Sequence, residues 1–516
     1  MKQFMSVGLI CILCCFYACN KTGQNATLNS PDGTITVQTG IEEGRIYYTV
    51  SKNNSVVIGK SFLGFILKDG DFSQGFTIRD VAQSSFSETW EQPWGEELSV
   101  DNTYNQMVVD VAENGGLQRR FSVIFRAFDD GIGFRYEFPE QENLSDFVIM
   151  DELTEFSLAG NHTAWSIPTY TTEYYEGLYE KSLVSELDTV ATPLTMKTDE
   201  GLYLAIHEAN LTDYAAMNLT PIDESSTLKI DLTPWSTGEK VFMEAPGVTP
   251  WRTLIIAEKP GDLILSRLML NLNEPCKIED TSWINPGRYI GIWWGMHMEK
   301  YTWAPGPKHG ATTENTMRYI DFAANHGFSG VLVEGWNYGW ENDWTKEGDK
   351  FSFTRPYPDF DMEKISRYAA GKNVKLIGHN ETGGATINYE SQLDSAFAFY
   401  NKLGVDVVKT GYVSPRLDHK ERHSSQYGVR HYRKVIETAA KYRIMIDNHE
   451  PAMPTGLQRT YPNLMTQEGV RGQEYNAWSA DGGNPPEHTT IIPFTRGLAG
   501  PMDFTPAIFN FENPVF

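Results

Sequence analysis

Two rhythms of apolar and polar residues divide the chain. From Thr27 to about Asp280 short segments alternate with a period of two: GTITVQTG, GRIYYTVSKN, QMVVDVAE, RRFSVIFRAFDDGIGFRYEF and LTMKTDEGLYLAIHEA. Each is bounded by Gly, Asn or Asp, the punctuation expected between antiparallel strands that bury one face. A large β-sandwich follows from that pattern. At Asn285-Pro286-Gly287 the rhythm changes. RYIGIWWG reads as a strand, ATTENTMRYIDFAANHG as an amphipathic helix, FSGVLVEGW as a strand and DMEKISRYAAGKN as a helix. VKLIGHNE, SQLDSAFAFYNKLG, DVVKTGYV, YGVRHYRKVIETAAKYR and IMIDNHEP continue the alternation. Strands alternating with helices across short loops predict parallel βαβ units, and closure into a (β/α)₈ barrel is the natural reading.

The expected fold class is therefore multidomain: a signal segment over 1–19, a β-sandwich domain over 20–284 and a catalytic barrel over 285–516. From Arg288 onward the pattern yields seven strands, the last within TTIIPFTRGLAGPMDF. An incomplete barrel, unstable or self-associating for want of its last βα unit, is the expectation, because unpaired sheet edges expose backbone groups and an apolar interior.

Composition narrows the function. The chain has 516 residues with 67 acidic against 43 basic side chains, a formal charge of −24, which excludes electrostatic binding to nucleic acid or an anionic membrane surface. Aromatic residues make up 13% of it, including 13 Trp, and flat rings suit sugar-binding walls as well as cores. The N-terminus MKQFMSVGLICILCCFYACN carries a Lys, an apolar run too short to span a bilayer, and Ala18 before Cys19. This pattern predicts secretion, a lipid on Cys19 as the only membrane attachment, and a periplasmic location at the outer membrane. Four of the five cysteines lie there, leaving Cys276 alone and no intrachain disulfide to form in the mature chain.

On a barrel, polar residues just past each strand share one rim, where active sites of this architecture collect. His379, Asn380 and Glu381 follow VKLIG, Lys409 to Gly411 follow DVV, and Asn448, His449 and Glu450 follow IMID. Glu468 and Glu474 lie in QEGVRGQEYNAW, and PFTRGLAGPMDFTP adds Arg496 and Asp503. Four glutamates on one mouth are costly unless a cation neutralises them, a proton is shared, or chemistry exploits their different protonation. Oxygen-rich ligands suit a hard cation, with Ca²⁺ the expected one outside the cytoplasm. Zn²⁺ is disfavoured because His379 and His449 lack HExxH spacing and suit substrate hydrogen bonding better. Glycoside hydrolysis needs one carboxyl to protonate the leaving oxygen and another to attack or to activate water. Of Glu468 and Glu474, one could hold the metal while the other donates the proton.

GHNET, VVKTGYV, DNHEP-x-x-PTG-x-x-RTYPN, QEGVRGQEY and PFTRGLAGPMDFTP, with EQPWGEE, FRAFDDGIGFRYEF and AWSIPTYTTEYYEGLY before them, resemble the motif series of glycoside hydrolase family 97 over nearly the whole mature chain. The resemblance implies a β-super-sandwich, a (β/α)₈ barrel, a small C-terminal β-domain that is expected to be missing from this chain, and active-site calcium. It implies Glu474 as general acid, Glu381 and Glu450 as bases for water, Glu176, Glu450 and Glu468 as calcium ligands, and His379, Lys409 and His449 as sugar contacts. The retaining branch of the family carries an aspartate nucleophile where this chain has Gly411, so the resemblance implies the inverting branch: an exo-acting α-glucosidase on α-linked glucose oligosaccharides. An α-galactosidase, or a sugar-binding lipoprotein without activity, stands as the alternative.

Overall fold

The computed structural model describes residues 25–509 apart from Glu224, so the signal segment and Cys19 lie outside the described residues. The first half is antiparallel throughout. A four-stranded sheet, Asn25–Asn29 to Ser55–Phe62, packs on a ten-stranded sheet whose long edge hairpin pairs Phe76–Glu91 with Ser99–Glu113. Period-two burial explains the packing. Alternate residues of Arg45–Lys52, Ile46, Tyr48 and Val50, are buried, and they meet inward residues of Arg120–Phe128 and Gly131–Phe138. Tyr48 lies 4.9 Å from the Phe134 ring, and each such fully buried aromatic or aliphatic side chain is worth roughly 1.5–3 kcal/mol.

Trp251–Ala257 is buried at every position, so it cannot be a strand with one wet face. Its outer side is covered by the helix that follows it and by the second half of the chain: Ala205, Ile255 and Ala257 pack with Leu263, in Pro260–Leu265, and with Leu498 beyond the last barrel strand. Polar ties cross the same seam. Trp94 Nε1 donates to Pro462 O at 2.7 Å, Arg459 donates to Glu88 at 2.9 Å, and the buried His207 places Nε2 2.8 Å from Pro454 O.

The second half is a curled six-stranded parallel sheet in sequential order: Tyr289–Gly291, Gly330–Leu332, Lys375–Glu381, Val407–Gly411, Met445–Asn448 and Leu464–Gln467. Helices Thr313–His326, Met362–Gly371, Thr386–Lys402 and Gln426–Lys441 connect its strands. Three of them start at side-chain caps, from Thr312, Asp361 and Ser425, and Gly327 closes the first at φ 73°. Those are the start and stop signals a helix end requires for its unpaired N–H and C=O groups.

Two expectations are corrected. The strand read in RYIGIWWG stops at Gly291, and Trp293–His297 is helical. The seventh strand read in TTIIPFTRGLAGPMDF is a helix, Pro486–Ile491, followed by two tight helical turns. Only Met502 makes a parallel bridge, to Gln467. Pro486 opens the helix, Pro493 has no N–H for a ladder, and Gly500 turns the chain at φ 133°, so an apolar run that looks extended cannot pair.

Candidate active site

Parallel register brings the rim residues together. His379 lies level with Lys409, Glu381 with Gly411, Lys409 with Asp447, and Asn448 with Gln467. Because side chains alternate along a strand, His379 and Glu381 share a face, as do Asp447 and His449. A cavity of about 290 Å³ opens at these strand ends, and Glu176, His379, Glu381, Lys409, His449, Glu450, Glu468 and Glu474 all line it. All eight residues selected from the sequence thus meet in one place. Glu176 comes from the sandwich half and is tied there by the hydroxyl of Tyr475, from the barrel half.

The carboxylates differ in their surroundings. Glu381 is buried, and one of its oxygens accepts the backbone N–H groups of Thr382 (3.0 Å), Gly383 (2.8 Å) and Val413 (3.1 Å). Burial raises its pKa to about 7, and those N–H donors keep it from rising further. Glu450 accepts from Tyr412 N at 2.7 Å. Burial, Glu468 and Glu381 push it well above the carboxylate range. Its backbone is left-handed at φ 45°, an uncommon state for a long side chain and one that surrounding contacts must hold. Glu474 sits where a one-turn helix, Tyr475–Trp478, begins, with Trp293 Nε1 3.4 Å from its carboxylate. Burial and the neighbouring Glu468 raise Glu474 to about 8, so it carries a proton at neutral pH. Glu176 is likewise pushed well up, by burial and then by Glu468.

His449 is held between acids. Its Nδ1 is 3.1 Å from Glu468 and its Nε2 3.0 Å from Asp503. Burial alone would lower its pKa, but Glu468 and Asp503 outweigh that and keep it charged. Beneath it, Tyr289 donates to Asp447 at 2.5 Å and lies 3.2 Å from Asp503. Burial and Asp503 raise Asp447 to about 6.

The residue passed over in the sequence is Glu334, just past the second barrel strand. Lys409 Nζ (2.9 Å) and Trp303 Nε1 (2.9 Å) bind it, and His379 Nε2 lies at 3.6 Å. Burial opposes its charge, yet Lys409 and His379 hold it far below the ordinary carboxylate range. Its signal was available, since FSGVLVEGW places it at a strand end like the others. Trp340 stacks on His379 with ring centroids 6.0 Å apart and lies nearly parallel to Trp303 at 6.1 Å, so one wall of the cavity is aromatic. His379 Nδ1 has no hydrogen-bond partner among the described residues.

A protonated carboxyl, a second carboxyl partly ionised near neutrality and a wall of tryptophans can together protonate a glycosidic oxygen and activate water beside a bound sugar. The donor atoms of His449, Glu450 and Glu468 lie within 4.8 Å of one another, and an oxygen-rich set of this kind fits a hard divalent cation.

Known proteins agree with this chemistry. The N-terminal domain of glycosyl hydrolase 97 matches residues 28–275, and glycoside hydrolase 97 itself matches residues 293–470. A family 97 enzyme from Pseudoalteromonas sp. strain K8, solved with panose and with acarbose, shares 47% identity. For the panose complex the TM-score is 0.90, with 94% of this chain and 75% of that one covered. The retaining α-galactosidase of Bacteroides thetaiotaomicron is 24% identical over 96% of this chain and 75% of its own length. A probable retaining α-galactosidase of Streptomyces bingchenggensis is 26% identical over 90% of this chain and 67% of its own. With two matches that together span most of the chain, and with acid and base carboxyls gathered at the strand ends, the protein belongs to glycoside hydrolase family 97 and is a glycoside hydrolase.

Proposed function

We propose that the chain is an inverting, calcium-dependent, exo-acting α-glucosidase that hydrolyses terminal α-glucosidic bonds of malto-oligosaccharides. The observation that carries this reading is at Gly411. A Cβ built on it would lie 2.2 Å from Glu381 Oε2, so the Glu381 carboxylate occupies the space that a nucleophilic aspartate at 411 would need. That crowding supports the reading with Glu381 as a base and no nucleophile at 411. The Pseudoalteromonas enzyme that binds panose and acarbose is also nearer in sequence, at 47%, than the two α-galactosidases at 24% and 26%.

In this reading Glu474 gives its proton to the leaving oxygen, and Trp293 holds the carboxyl in place. Glu381, kept partly ionised by three backbone N–H groups, takes a proton from the attacking water on the opposite face, with Glu450 beside it. An inverting pair needs room for that water, roughly 6.5–9.5 Å between carboxyls, and glutamates from separate strand ends can supply it. Glu334, Lys409, His379 and His449 orient the sugar hydroxyls against the tryptophan wall. Glu176, Glu450 and Glu468 would hold Ca²⁺, which, when bound, offsets the mutual repulsion of these carboxylates and polarises the water beside them. The N-terminal segment supports export and a lipid on Cys19, placing the enzyme in the periplasm at the outer membrane. Cys19→Ala would then move it to the soluble fraction.

Proton NMR of maltose hydrolysis tests the mechanism. β-Glucose appearing first supports inversion, and α-glucose first overturns it. Faster hydrolysis of an aryl α-galactoside than of the matching α-glucoside would instead favour the retaining α-galactosidases' specificity.

A further inference from the structure

A second cavity, of about 170 Å³, lies beside the catalytic one, and Tyr174 lines both. Its walls are the sandwich loop around Thr169 to Tyr175 and the barrel segment after Gly411, which contributes Arg416 and Arg422. In a chain with 67 acidic and 43 basic residues, two arginines in one cleft would be expected to face carboxylates. Among the described residues neither makes an ion pair. The polar contacts of the Arg416 side chain end at Pro415 O, 3.4 Å away, and the Arg422 guanidinium lies over the Tyr170 ring at 4.3 Å.

Asp231, the acid whose charge acts on Arg422, is already engaged, accepting from Tyr170 at 2.6 Å and from Lys240 at 2.9 Å. The two guanidiniums also repel each other. Arg422 is lowered first by burial and next by Arg416, while Tyr170 and Asp231 pull it partly back. With no carboxylate in ion-pair contact, the two guanidiniums offer the planar, multi-donor geometry that oxyanions accept. Thr169 and Thr172 add hydroxyls to the same walls.

We propose that this cleft is an oxyanion subsite, in which Arg416 and Arg422 bind a carboxylate, sulfate or phosphate group carried on the leaving-group side of the substrate. The enzyme would then favour glucosides whose aglycone bears a negative charge over neutral ones of equal length. This extends the glycosidase reading but does not depend on glucose being the cleaved sugar.

The test separates the cleft from the chemistry. Calorimetric titration of the full chain with sodium sulfate, against sodium chloride at matched ionic strength, should show saturable sulfate binding that weakens at least tenfold in Arg416→Gln and in Arg422→Gln. Both variants should keep parental kcat on a neutral aryl α-glucoside, while the parent's kcat/KM advantage for a sulfated or carboxylated aglycone disappears. No saturable sulfate binding in the parent, or binding untouched by both substitutions, overturns the proposal. So does an equal loss on neutral and anionic aglycones, which would mark a subsite for uncharged sugar. Sulfate binding with no hydrolysis of any glucoside would sink the proposed activity and leave the cleft standing.

Discussion

Gly411→Ala is the smallest change that tests the assignment of Glu381. The new Cβ would lie 2.2 Å from Glu381 Oε2, whereas ordinary contact begins at 3.4 Å, so the carboxylate must retreat by about 1.2 Å (3.4 − 2.2) or the strand must yield. Retreat strains the three bonds from Thr382, Gly383 and Val413, and a hydrogen bond to a charged group contributes about 1.5–3 kcal/mol. Overpacking of one methyl in a dense site costs about 1–3 kcal/mol. A base displaced by ~1 Å costs on the order of 100-fold in rate. We therefore expect kcat on maltose to fall about 100-fold, with KM changed much less, and urea denaturation to show a loss of about 1–3 kcal/mol. A double-mutant cycle identifies the cause. In a Glu381→Ala background the clash is gone, so Gly411→Ala should then cost almost nothing further. Equal losses in both backgrounds, or an alanine variant with parental kcat, would refute the placement of Glu381 as the base beside Gly411.

Three further outcomes are expected. Glu474 is raised to about 8 and must be protonated to act, so kcat should be lost as pH rises through about 8. Trp293→Phe removes a donor that favours the charged form and should move that limb upward, as a pH–rate profile would show. Burial lowers His207 to about 4 from its ordinary 6.5, so the unfolded chain binds the proton first. Stability is full above about 6.5 and is lost as pH falls towards 4, by about 3 kcal/mol for this group. Urea titrations of the parent and of His207→Leu across that window measure it. If Glu450 and Glu468 hold calcium, chelation should lower Tm of the parent by several degrees while Glu468→Gln shows little response, and terbium luminescence should report the same site without any turnover.

Legibility in the sequence followed the range of the forces involved. Helix Gln426–Lys441 could be read from its periodicity, and Glu381, Glu450 and Glu468 from their places past strands, because those signals are local. Glu176 could not be derived that way. It comes from a loop of the sandwich half, just before the strand Glu180–Leu183, and only the resemblance pointed to it. Trp251–Ala257 does not betray its two-sided burial through alternation, since its outer cover comes from Leu263 and Leu498, the latter more than two hundred residues away. The segment Pro486–Met502 misled because its apolar composition mimics a strand, and its prolines and Gly500 decide otherwise.

The seam between the halves has a consequence for dynamics. Glu176 reaches the cavity from one side and is gripped by Tyr475 from the other, while His207, Trp94 and Arg459 fasten the same boundary. Opening that boundary would withdraw Glu176 from the other carboxylates and let water reach the cavity from the sandwich side, weakening the differences in proton affinity on which acid and base depend. Docking of the halves and readiness of the catalytic groups are therefore one cooperative event. A ligand seated in the cavity should slow amide hydrogen exchange in sandwich strands it never touches.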